Sequence, residues 1–134
     1  MNVCLVAVCH NTYEESIKFL SSIDEAIRDT GIKLDVFFVD NSLKVDMDMV
    51  NKIKGLVVDF CIHYVVSENL GYFPSVIAAI KNQKIEISNY PYLIISNVDL
   101  TVSKHFFSEL ENLPADDTVG VYAPSIVSSV LNLD

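Results

Sequence analysis

Basic residues are scarce. The chain has 9 Lys and Arg against 18 Asp and Glu, a net charge of −9. They are scattered along the sequence (Lys18, Arg28, Lys33, Lys44, Lys52, Lys54, Lys81, Lys84, Lys104) rather than clustered. Binding to a nucleic-acid backbone is therefore disfavoured, because neutralising phosphates requires grouped cations. An anionic ligand would need a metal ion or helix N-termini to offset the protein's own charge. Long apolar runs are also missing. None approaches the roughly 20 residues of a membrane span, and the N-terminal "MNVCLVAVCHN" lacks the basic n-region and small-residue cleavage site of a secretory signal. Cysteine is sparse and odd in number: Cys4, Cys9 and Cys61. Their spacing does not fit a zinc site. The expectation is three buried free thiols in a reducing, cytoplasmic compartment.

Several catalytic signatures are absent too. No G-x-x-x-x-G-K-[ST] occurs, which excludes a P-loop NTPase. No G-x-G-x-x-G follows the first apolar run, which argues against a Rossmann dehydrogenase. No G-x-S-x-G elbow points to an α/β-hydrolase. The first apolar run does not end in the paired acids of a receiver site.

What is present is an alternation of two periods. About half of the 134 residues are hydrophobic, enough for one domain with a sizeable core and too few for two. Apolar strand-like runs occupy 3–9, 34–39, 59–66, 92–96 and 119–123. The run 92–96 reads as buried almost throughout. Helical periodicity lies between the runs. Thr12 and Glu15 fit a capping box for a first helix, which carries Tyr13, Ile17, Leu20, Ile23 and Ile27 on one face and stops at Gly31. A second helix covers 45–54 and stops at Gly55. A third starts near Pro74 and fades around Asn82. A fourth covers 103–112, with Ser103 as its cap. Strand alternating with helix predicts an α/β fold: a mostly parallel sheet with helices on both faces. The tail, "SIVSSVLNLD", follows the fifth run without a clear helix or cap, so the expectation is a single domain, 1–134, cut short at its C-terminus.

In such a sheet, ligands bind beyond the carboxyl ends of the strands. The residues there are His10 and Asn11 after the first run, then Asp40, Asn41 and Ser42 after the second. Ser67, Glu68 and Asn69 follow the third, and Ser96, Asn97 and Asp99 follow the fourth. Taken singly, each tip has an ordinary explanation as a turn or helix start. His63 reads as a strand residue and His105 as a solvated one. Taken together, the tips would converge at one rim. An acid after the second strand can accept from a base N–H or a ribose hydroxyl. A carboxylate after the fourth can hold Mg²⁺ or Mn²⁺, hard ions that bridge phosphates. That combination suits a nucleotide diphosphate.

In order, "VAVCHN", "VFFVDNS", "ENLGYFPSVIAAI", "YLIISNVDLTVSKHFFSEL" and "VGVYAPSI" resemble the family 2 glycosyltransferases of GT-A fold, in the bacterial rhamnosyltransferase-like branch. Those enzymes show V-V-D-N-S after the second strand, N-x-G-[FY] before the third helix, and N-x-D in place of D-x-D. The resemblance implies a Rossmann-like, nucleotide-sugar-binding half. By it, His10 and Asn11 line the nucleotide pocket, and Asp40 contacts the base or ribose with Asn41 and Ser42 beside it. Asn69 and Gly71 shape the loop over the donor. Asn97 and Asp99 replace the D-x-D, with Asp99 as metal ligand. The implied reaction is metal-assisted sugar transfer, with inversion, to a hydroxyl of a saccharide or lipid-linked acceptor, at the cytoplasm or the inner membrane face. The chain departs from the family at Phe73-Pro74-Ser75-Val76-Ile77, where relatives carry small residues and an Asn. It is also shorter than family enzymes, whose further half carries the acceptor site and the catalytic base. No base is named here, and Asp116 and Asp117 read as a polar loop. Apolar surface on a shortened sheet would suit a homo-oligomer. The competing readings are a nucleotidyltransferase, which would want a Gly-rich basic loop after the first strand, and an inactive binding or interaction module.

Overall fold

The computed structural model describes residues 1–114, 116 and 118–127. Four strands form one all-parallel sheet: β1 (Asn2–Cys9), β2 (Lys33–Asp40), β3 (Cys61–Val66) and β4 (Tyr92–Asn97), in the order β3-β2-β1-β4. The helices are α1 (Tyr13–Ile27), α2 (Met47–Lys54), α3 (Tyr72–Asn82) and α4 (Phe106–Glu111), with a short 3₁₀ turn at Ile87–Asn89.

The topology follows from handedness. From β1 the chain steps through α1 to β2 and through α2 to β3, always in one direction, so both helices pack on one face. It then reverses, passing through α3 to β4 on the other side of β1. A right-handed crossover in the reversed direction puts α3 on the opposite face. The two cores reflect this. Val3, Leu5, Ala7 and Cys9 of β1 pack with α1, with Val50 and Ile53 of α2 and with Phe107 of α4. Cys4, Val6 and Val8 pack with Val76 and Ala79 of α3. Strict alternation along one strand thus feeds two separate cores. Both faces are covered, so β1 is buried from Val3 to Cys9.

Side-chain hydrogen bonds pin the connections. The buried Asp24 carboxylate of α1 accepts from the Asp59 backbone N–H at 2.8 Å, just before β3, and from Arg28 at 2.6 Å. Asp46 caps α2, its Oδ1 accepting from the N–H groups of Asp48 and Met49 at 3.1 and 3.2 Å.

Several sequence expectations are corrected. The fifth run does not form a strand: residues 119–123 are irregular and exposed, with Val121 84% accessible. Its V-G-V-Y-A pattern fits a pleated surface, but a strand exists only where a neighbour completes its hydrogen bonds. Tyr122 merely sets its ring edge-on to Tyr92, with centroids 6.4 Å apart. The run 92–96 is not buried almost throughout, because β4 is an edge strand: its residues are half-buried and Ile95 is exposed. Cys4 and Cys9 are buried free thiols, but Cys61, first residue of the other edge strand, is exposed. Thr12 does precede α1, but its side chain forms no capping bond and instead donates to the Cys9 thiol at 3.7 Å. Helix α1 ends at Ile27, before Gly31 is reached, and Gly31 is not left-handed. Helix α3, by contrast, begins within two residues of its expected start, at Tyr72, with Pro74 in its first turn. Helix α4 starts only at Phe106, and Ser103 accepts from the His105 N–H ahead of it rather than capping the helix itself. Asp117 and residues 128–134 lie outside the described residues.

Phe19, 1% exposed in α1, faces the larger core. Phe19→Ala is expected to lower the free energy of unfolding by about 3–5 kcal/mol, the cost of emptying a phenylalanine-sized site. Val57→Ala, at a residue 98% exposed, should change it by less than about 0.5 kcal/mol. Urea denaturation of the two variants checks both values.

Candidate functional site

Parallel pairing brings the strand tips together. Cys9 pairs with Asp40, Asp40 with Val66, and Val8 with Asn97. The segments that follow all four strands therefore emerge on one rim. Strand order reverses between β1 and β4, and such a switch point opens a crevice because the two connections leave in opposite directions. A cleft of about 290 Å³ lies there, lined by Val8, His10, Thr12, Asn41, Asn69, Gly71, Tyr72, Asn97, Val98 and Asp99.

Each lining residue is held by local chemistry. After β4, Val98 is 1% exposed and packs into the α1 core, whereas Asn97 and Asp99 on either side are exposed to the cleft. The apolar middle residue anchors the turn and turns its two polar neighbours outward. On the opposite wall, Asn69 Oδ1 accepts from the Gly71 N–H at 3.3 Å. Gly71 has φ 87° and ψ 175°, a backbone region open essentially only to glycine, and it leads directly into α3. The Tyr72 hydroxyl pKa is raised by burial and then by the negative charge of Asp99.

The floor is made by the tips of β1 and β2. Asn41 is 3% exposed. Its backbone N–H continues the ladder to the Cys9 carbonyl at 3.0 Å, and its side-chain amide donates to Ser75 Oγ at 3.2 Å. His10 Nδ1 lies 3.0 Å from both the backbone and the side-chain oxygen of Asn41. Asn11 adopts a left-handed φ of 57°, and its N–H donates to Ser42 Oγ at 2.9 Å.

Asp40 sits beneath this floor, not in the cleft. It is fully buried. Oδ2 accepts from the Tyr13 hydroxyl at 2.8 Å and from the Tyr64 hydroxyl in a short bond. Oδ1 accepts from the Ser42 N–H at 3.0 Å. Burial pushes this carboxyl upward, but the bonds from Ser42, Tyr64 and Tyr13 outweigh it and hold the pKa below the ordinary carboxylate value. The same burial, together with the Asp40 charge, raises the Tyr64 hydroxyl.

Of the residues singled out in the sequence, His10, Asn41, Asn69, Gly71, Asn97 and Asp99 line one cleft. Asn11, Asp40 and Ser42 lie next to it as a hydrogen-bonded support. His63 and His105 are not part of its lining. Sequence reasoning missed the tyrosine pair on Asp40 and the role of Ser75. Tyr13 falls on the apolar stripe of α1, which conceals its hydroxyl. Tyr64 and Ser75 carry no sequence signal, since their partners are far along the chain.

A divalent cation can be weighed against this donor set. Asp99 is the one carboxylate lining the cleft, and no group of three or more His, Cys, Asp or Glu suited to holding a metal occurs among the described residues. The described residues therefore offer no all-protein cage there. The set fits Mg²⁺ or Mn²⁺ held by a single carboxylate together with ligand phosphates and water. No Lys or Arg lines the cleft, so a cation is also what a bound diphosphate would need.

No family model matches the chain, and no curated protein matches its sequence. Two crystal structures of TarS from S. aureus, a glycosyltransferase, share its architecture. Both have a TM-score of 0.60 and 14% identity, and both align over 83% of this chain. The likeness is one of fold: a parallel sheet covered by helices. This chain spans 31% of the TarS 1–349 chain and 19% of the longer TarS chain. No helix among the described residues is long and apolar enough to cross a membrane.

The Asp40 network makes stability depend on acid. A carboxyl with a lowered folded-state pKa binds fewer protons than in the unfolded chain, so its contribution is fully present above about pH 4 and fades as pH falls through the folded value. Asp40→Asn should destabilise by about 2–4 kcal/mol at pH 7, as expected for a disrupted buried network. It should also flatten the loss of stability below pH 4. Denaturant midpoints measured from pH 7 down to pH 2 test both parts.

Proposed function

We propose that this chain binds the nucleotide-diphosphate-sugar donor of a metal-assisted glycosyltransferase of the hexosyl-transferring type. The observation that carries the reading is the cleft at the β1/β4 switch point, where Asn97 and Asp99 face His10, Asn41 and Asn69 without a Lys or Arg among them. The amides and His10 would orient the nucleoside and sugar hydroxyls. Asp99, with Asn97 beside it, would hold Mg²⁺ or Mn²⁺. The bound cation would neutralise the diphosphate and stabilise the charge that builds on it as the sugar departs. Gly71 and the start of α3 would close over the donor from the Asn69 side.

The motifs "VDNS", "ENLGY" and "SNVD" carry the assignment to family 2 and to its rhamnosyltransferase-like branch. The acceptor, a saccharide or lipid-linked hydroxyl, and an inverting course belong to the same reading. Buried thiols at Cys4 and Cys9 and an unpaired, exposed Cys61 suit a reducing, cytoplasmic setting. A second reading, a donor-binding module without transfer activity, is favoured by one feature: among the described residues, the lining offers no second carboxylate to act as a base toward an acceptor.

Calorimetry with UDP, GDP and dTDP, with and without Mn²⁺, tests donor binding. At least one nucleotide should bind in a Mn²⁺-dependent manner, and Asp99→Ala should abolish that dependence. The melting temperature should barely change, because Asp99 is exposed and forms no side-chain hydrogen bond among the described residues. Absence of binding to all three by the folded protein would discard the reading.

A further inference from the structure

We propose that Asn41 is a positioning residue that locks His10 into its Nδ1–H tautomer, so that a bare Nε2 is left to the cleft as a hydrogen-bond acceptor for a ligand hydroxyl or N–H. His10 Nδ1 meets two oxygens at once, the Asn41 carbonyl and Asn41 Oδ1, each at 3.0 Å. Neither can donate, so Nδ1 must carry the proton. Asn41 settles this through its backbone carbonyl, which can only accept. Its Nδ2 donates to Ser75 Oγ at 3.2 Å, and Ser75 is fully buried in α3. A reversed Asn41 amide could still bond the Ser75 hydroxyl, which donates as well as accepts, but it would turn an N–H against the Nδ1 proton.

The chain of donors therefore runs from Asn41 to Ser75 and from His10 to Asn41, fixing both the plane and the protonation pattern of the ring. Nε2 has no hydrogen-bond partner among the described residues, and His10 lines the cleft with Asn97 and Asp99. A neutral imidazole held this way offers a lone pair, not a proton. It selects ligands that present a donor: a ribose or sugar hydroxyl, or the imino N–H of a base. It does not favour a phosphate oxygen. The ring's protonation pattern stands without any ligand, whereas the identity of the ligand rests on the donor-binding reading above.

Nitrogen-15 NMR of the full chain at about pH 8, above the ordinary imidazole range, reads the tautomer directly. The His10 signals are assigned by their loss in His10→Gln. Wild type should show a protonated Nδ1 and a bare Nε2. Ser75→Ala should leave Nδ1 protonated, because the Asn41 carbonyl stays in place. A wild-type proton on Nε2, or a His10 tautomer that changes in Ser75→Ala, would overturn the proposal.

Binding of UDP with Mn²⁺ supplies the second measurement. His10→Gln, whose amide oxygen can reach the Nε2 position, should hold the nucleotide within a few-fold of wild type. His10→Asn, which cannot reach it, should bind roughly fivefold or more weakly, the share of one hydrogen bond. Equal losses in the two variants would remove the acceptor role. If wild type shows Nδ1–H but binds no nucleotide, the positioning of His10 stands and the donor-binding reading fails.

Discussion

The site depends on β1 being paired in parallel on both of its edges. With Cys9 opposite Asp40 and Val8 opposite Asn97, a single strand sets the height of the neighbouring tips. Residues about 30 and 90 positions apart in the chain then share a rim. A shift of one residue in either register would turn a strand's buried side chains to the opposite face. The cost would be high, because β1 is buried on both faces from Val3 onward. The two cores thus act as a register lock, and the cleft inherits its geometry from them.

Polar residues around the rim divide into those that face the cleft and those that hold it up. Asp40 belongs to the second group. Its two oxygens receive the Tyr13 hydroxyl from α1, the Tyr64 hydroxyl from β3 and the Ser42 N–H from the loop after β2. A buried carboxylate with this many donors remains charged and ties three elements together. Ser42 passes the constraint to Asn11, whose left-handed backbone sets the exit from β1. Asp99 belongs to the first group: exposed, and held in place through its apolar neighbour Val98 instead of through bonds of its own. One aspartate spends its hydrogen-bonding capacity on the protein and the other keeps it available.

The alternation of apolar runs and amphipathic helices made the α/β class legible, and the polar tips made the rim legible. Five of the tip residues named from the sequence do share one cleft, with Gly71 beside them. The errors share one cause. The runs 92–96 and 119–123 look alike in composition to a core strand, but β4 is an edge of the described sheet and the later run pairs with no strand among the described residues. Strand character in a sequence describes side chains, whereas a strand is made by a partner's backbone. The capping box failed for a related reason: Thr12 can bond its own helix or the Cys9 thiol, and only the local fold selects between them.

The sequence by itself determined the parallel class, because near-continuous apolar runs separated by amphipathic helices must be covered on both faces. It also determined where polarity concentrates along the chain. Tertiary structure alone decided that Asp40 turns inward while Asp99 turns outward, that Asn41 reads the hydroxyl of Ser75, and that His10 is left with one bare nitrogen. Those outcomes depend on partners dozens of residues away, and hydrogen bonds with such partners leave no periodicity in the sequence.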